Sequence, residues 1–68
     1  MTHELIAALE SLTRAAAQWR QEYEDGHHNG GHSPDVEIAF IRAYAAGATR
    51  DQAEEAYQLG VDWGVVAA

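Results

Sequence analysis

Three histidines, His27, His28 and His32, lie within six residues of one another, next to Glu24 and Asp25. Imidazole and carboxylate together make a donor set that suits zinc, nickel or copper. The same stretch holds Gly26, Gly30 and Gly31, and a backbone this free loses much entropy when it is ordered around an ion. The spacing therefore predicts a solvated loop that takes metal only adventitiously, with no dedicated metal site and no cofactor. Unperturbed imidazoles also gain charge near a pH of about 6.5, so the cluster could lower the chain's negative charge in mild acid. No other residue reinforces that pH-sensing idea.

Nucleophilic chemistry has no recognisable carrier. Ser11, Ser33, Thr13 and Thr49 fall at cap or helix-surface positions, and no histidine has a motif neighbour to orient it as a base. The glycines do not follow a strand, so no phosphate-cradling loop is formed. The acids Glu22, Glu24 and Asp25, like Asp51, Glu54 and Glu55, are exposed by pattern and read as solvated helix faces. On these grounds the chain is not expected to be an enzyme.

Its composition points instead to binding. Eleven acidic residues against four arginines, with no lysine, give a formal net charge of −7 over 68 residues. Duplex DNA binding depends on clustered cations that neutralise phosphates, and these arginines are dispersed, so nucleic acid is disfavoured as a partner. An acidic surface suits a basic protein patch, or solubility alone. Cysteine is absent, which removes disulfides and thiolate metal sites as supports for a small core. The opening MTHELIAALESLTR has no apolar run long enough for a signal peptide or a membrane span, and a cytoplasmic location is expected. Alanine is abundant and strand-forming residues are few, which favours an all-α fold.

Three helices must then position whatever surface does the binding. Leu5, Leu9, Leu12, Ala16, Trp19 and Tyr23 follow heptad spacing, predicting a long amphipathic helix over about residues 2–25 with Thr2 as its N-cap and Glu4 favourably placed in its first turn. Residues 26–33 read as a flexible Gly/His loop. Ser33 and Pro34 then supply an N-cap and a first helical position for a second helix over about 34–46, and the near-continuous apolar run from Val36 to Ala45 predicts that it lies at the centre of the fold. Gly47 suits a left-handed helix end, and Thr49 with Gln52 forms a capping box for a third helix over about 50–59. Gly60 is expected to stop that helix, leaving residues 61–68 as an apolar tail, packed as a short turn or an extended strap.

The first helix so delimited is nearly twice as long as either of the others. Part of its seam, Leu5 to Tyr23, would stay uncovered, and a homodimer through Leu5, Leu9, Leu12, Ala16, Trp19 and Tyr23 is the simplest closure. Asp51, Glu54, Glu55 and Trp63 are the candidate contacts for a protein partner. Trp63 has two readings, an anchor offered to that partner or an aromatic that pins the tail, and pinning is preferred because small cores recruit every available aromatic.

Residues 41–62 resemble part of a truncated helix-turn-helix unit. Ala56, Gly60 and Val61 fall where that family places a small helix residue, a turn glycine and the apolar residue after it, with Val66 at a later core position. Glu55 replaces a residue that the family keeps apolar, and the segment after Asp62 has no Lys, Arg, Asn or Gln to read base edges, so the resemblance does not imply DNA binding. In its brevity, its alanine- and arginine-rich, lysine-free usage and its acidic helices, the chain also resembles small accessory proteins of actinobacterial phages. That resemblance implies a regulator or inhibitor that binds a host protein. A helix-turn-helix-like transcriptional regulator, or a structural or assembly component of a larger particle, are the alternatives.

Overall fold

A computed structural model describes residues 2–24 and 34–67, with the backbone alone described at 23, 24 and 64–67. It contains α1 (His3–Glu24), α2 (Pro34–Ala45) and α3 (Arg50–Ala67), and the described residues include no strand. The all-α, three-helix expectation is met. None of the helices is long and apolar enough, over the described residues, to cross a membrane.

Local signals set most of the boundaries. The Thr2 hydroxyl accepts a hydrogen bond from the Leu5 amide at 3.1 Å, filling one of the donors that a helix start leaves open. α2 begins at Pro34 and ends in a Schellman arrangement: the Gly47 amide donates to the Tyr44 carbonyl at 3.0 Å and the Ala48 amide to the Ala43 carbonyl at 2.9 Å. Gly47 has a φ of +102°, a conformation that side chains with a Cβ rarely adopt. Both arms of the capping box at α3 are formed. The Thr49 amide donates to Gln52 Oε1 at 2.9 Å, and the Gln52 amide donates to the Thr49 hydroxyl at 3.1 Å.

The end of α3 departs from expectation. Gly60 does not stop the helix, which runs unbroken to Ala67, so residues 61–67 are neither a strap nor a separate turn. The turn that the helix-turn-helix resemblance places at Gly60 is likewise not formed. Gly60 serves a packing purpose instead. A Cβ built on it would collide with the Thr13 carbonyl oxygen and lie 2.7 Å from the Ala16 Cβ. Close approach of α3 to α1 leaves no room for a side chain, and a glycine inside a helix costs only about 1 kcal/mol relative to alanine. The contact also fixes direction: Thr13 faces Ala56 and Gly60, whereas Trp63, further along α3, reaches Arg14, Ala17, Gln18 and Gln21. α1 and α3 are therefore parallel, and α2 runs back between them in sequence.

α1, not α2, is the central element. It packs most extensively on α3 and less on α2, while α2 and α3 meet only sparsely. The core cluster comprises Leu12, Ala39, Ala43, Ala53 and Ala56, with Leu9, Phe40, Ala48 and Tyr57 packed on its edge. Aromatic rings bridge the three helices beside it. Tyr57 on α3 lies with its ring centroid 6.3 Å from Trp19 on α1 and 5.5 Å from Phe40 on α2. Among the described residues, no polar or charged side chain is buried.

Much of the expected self-association seam is used up inside this packing. Leu5, Leu12 and Ala16 are buried, Leu9 is partly buried against the core, and the Trp19 ring lies tilted against Tyr57. Its last member, Tyr23, falls outside the described side chains. The expectation of an uncovered stripe rests on the shortness of the other two helices, but α3 lies parallel against α1, setting Ala53 and Ala56 on Leu12 and Gly60 on Ala16. At 18 residues, α3 extends about 27 Å along α1. Residues Leu5, Leu12 and Ala16 are therefore not available to a second copy without unfolding.

Candidate functional site

The parallel pairing of α1 and α3 leaves an open groove of about 460 Å³ along one side of their contact line. Its floor is Thr13 and Ala56. Thr13 is fastened there: its hydroxyl lies 3.0 Å from the Ala56 carbonyl across the helix boundary and 3.1 Å from the Leu9 carbonyl in its own helix, and its one proton is shared between the two acceptors. One wall is Ile6 and Leu9 of α1, and the other is Leu59 and Trp63 of α3. Ile6, Leu59 and Trp63 are 42 %, 62 % and 54 % exposed, so large apolar side chains face each other across water. Glu10 and Arg14 on α1 and Gln52 and Glu55 on α3 supply the polar rim.

Groove walls follow directly from helix periodicity. Residues 52, 55, 59 and 63 recur at intervals of 3, 4 and 4, one face of a continuous helix, and residues 6, 10 and 13 recur at intervals of 4 and 3 on α1 beside the buried Leu5 and Leu12 row. Small residues on the facing sides, Ala56 and Gly60 against Thr13 and Ala16, draw the backbones close. Larger residues flanking that line then stand apart as walls.

The candidate partner contacts are only partly brought together. Glu55 and Trp63 line the groove on its α3 side, with Leu59 between them. Trp63 is on a regular helix with more than half its surface open, so it does not pin a tail. Glu54 points elsewhere, accepting a hydrogen bond from Arg50 Nε at 3.0 Å as an i,i+4 ion pair on the solvent side. That bond and the attraction of the same carboxylate raise the Arg50 pKa. Asp51 is exposed and outside the groove lining. Ile6 and Leu59, which match none of the patterns singled out in the sequence, form much of the apolar surface. Leu9, expected to face a second copy, instead completes the α1 wall. The signal for Leu59 was its interval to Trp63, which is one helical turn once Gly60 is helical.

His27, His28 and His32, together with Asp25, lie outside the described residues, as does the Glu24 side chain. Among the described residues no three His, Cys, Asp or Glu side chains converge in a way that would hold a metal ion. Burial between Trp19 and Phe40 pushes the Tyr57 phenol above its ordinary value of 10.0.

Comparison with known proteins finds no matching family model, no matching curated protein and no matching solved structure.

Proposed function

We propose that this chain is a small acidic protein-interaction module and that the α1–α3 groove is its binding surface. The observation that carries the reading is the exposure of Ile6, Leu59 and Trp63 along a single concave face. Apolar side chains held apart on rigid helices accept the side chains of a partner with little loss of conformational entropy. Tryptophan at such a position is a frequent anchor of binding energy.

Charge defines the occupant more closely. Glu10 and Glu55 stand on opposite rims, in a chain with a net charge of −7. The fitting partner is a helical segment of another protein that offers two or three apolar residues at one-turn spacing, flanked by Lys or Arg. Complementary rim charges mainly speed encounter and select among partners, whereas the apolar anchors hold the complex. In this reading the acidic balance that disfavours nucleic acid is the same property that selects a basic protein surface.

The test is a paired capture from a native cell extract with the wild-type chain and with Leu59→Asp, a substitution at an exposed wall position, both first shown by circular dichroism to have equal helix content. A protein retained by the wild type, lost with Leu59→Asp and weakened by Glu55→Lys supports the proposal. Retention of identical proteins by all three chains contradicts it.

A further inference from the structure

The outer face of α2 is a second apolar surface, independent of the groove. Pro34, Ile38, Ile41 and Ala45 are spaced 4, 3 and 4 residues apart and are all exposed. Ile41 is 67 % and Ile38 45 % exposed, while the opposite face of the same helix buries Val36, Ala39 and Ala43. Isoleucines at consecutive seam positions of a heptad are the residues that pack one helix against another.

The flanking charges have a specific arrangement. Asp35 and Arg42 lie seven residues apart along one side of this stripe, and Glu37 and Tyr44 lie seven apart along the other. Elsewhere polar side chains are matched within their own helix at i,i+4: Arg50 with Glu54, Gln18 with Glu22 and Gln58 with Asp62. Arg42 has no such option. Its neighbours three and four positions away are Ile38, Ala39, Ala45 and Ala46, none of which accepts a hydrogen bond through its side chain. No salt bridge joins Asp35, Glu37 or Arg42 to another described residue.

We infer that the outer face of α2 pairs with the same face of a second copy of the chain, antiparallel, around a two-fold axis near Ile38 and Ala39. Such an axis brings each Ile38 against Ile41 of the other copy. It keeps the two Asp35/Arg42 sides together, so that each Asp35 meets Arg42 of the other copy, and the pairing is made twice by symmetry. Orientation follows from the distribution of charge along the helix. The first turn carries Asp35 and Glu37 and the last turn carries Arg42, so antiparallel copies set acid against base, whereas parallel copies set acid against acid. A single short helix per copy buries less than about 1,200 Å², and association is accordingly weak and reversible, with a dissociation constant in the range of roughly 1 µM to 1 mM.

Sedimentation equilibrium of the full chain across that concentration range tests the pairing. The wild type passes from monomer to dimer, Ile41→Asp remains monomeric at every concentration with its helix content unchanged, and Arg42→Asp loses the dimer. The double variant Asp35→Arg/Arg42→Asp regains it, because the exchanged charges meet again across an antiparallel axis. In a parallel pair the same exchange would set the carboxylate introduced at position 42 on the side of Glu37 of the other copy and give no recovery. A wild type that is monomeric throughout, a dimer indifferent to Ile41→Asp, or a double variant no better than the single one each overturns the inference. None of these substitutions touches the groove, so capture of a partner by the Leu59 wall is read separately.

Discussion

The line where α1 meets α3 and the outer face of α2 use apolar residues in opposite ways. At the first, the residues are the smallest available: Ala16, Ala53, Ala56 and Gly60 lie buried, and Gly60 has no space for even one more carbon. At the second, the bulky Ile38 and Ile41 stand in water while Ala39 and Ala43 of the same helix are enclosed. Small size decides what lies along the closest approach of α1 and α3, while Leu5, Leu12 and Val36 are the few large side chains enclosed among the described residues. A 68-residue chain cannot surround many large side chains, so it gains contact by bringing backbones together, and dispersion between closely packed small groups replaces the burial of long ones. The bulky residues left outside are then free to meet something else.

That contrast can be broken most severely at Leu12, the largest of the fully enclosed side chains. Leu12→Ala is expected to cost about 2–5 kcal/mol, enough to unfold much of the population of so small a domain, as read by urea denaturation followed by circular dichroism. Gly60→Ala comes next. Helix propensity alone favours the alanine by about 1 kcal/mol, yet the collision with the Thr13 carbonyl predicts a net loss of about 1–3 kcal/mol. A variant more stable than the wild type would mean that α3 does not approach α1 so closely.

A smaller effect should appear in alkali. Burial raises the Tyr57 pKa, so folding favours the neutral phenol; this contribution is complete below the ordinary value of 10.0 and disappears as pH rises through the higher folded value. The melting temperature should therefore fall above pH 10.0, and Tyr57→Phe should flatten that fall. The smallest change belongs to the outer face. Ile41→Ser, measured at concentrations where the chain is monomeric, should alter stability by no more than about 0.5 kcal/mol. A loss as large as that of Leu12→Ala would place Ile41 in the core and remove the contrast between the two regions.

Much of the candidate groove was legible only after one residue changed its meaning. Glu55 and Trp63 were recognisable as partner contacts from exposure and aromatic character. Leu59 and Ile6 were not, because a stop at Gly60 separated Leu59 from Trp63 and because Ile6 lies beside the heptad row rather than on it. The long helix was legible as a periodic row, but the same row gave no information on whether the cover came from the same chain or from a second copy. Leu12 is covered by Ala39 and Ala43 of α2 and Ala53 and Ala56 of α3, and Ala16 meets Gly60, so the parallel docking of α3 on α1 decides that outcome.

What the sequence determined by itself is whatever a few neighbouring residues can enforce. The Thr2 cap, the proline start of α2, the Gly47 helix end and the Thr49/Gln52 capping box each depend on bonds spanning only a few residues, and each forms where the residue types require it. The tertiary structure alone decided the role of Gly60, the central place of α1 and the outward face of α2. A missing side chain permits both a helix end and a close helix crossing, and an apolar run permits either inward face. The choice depends on the size of the residues opposite, which lie on a different helix and leave no trace in local spacing.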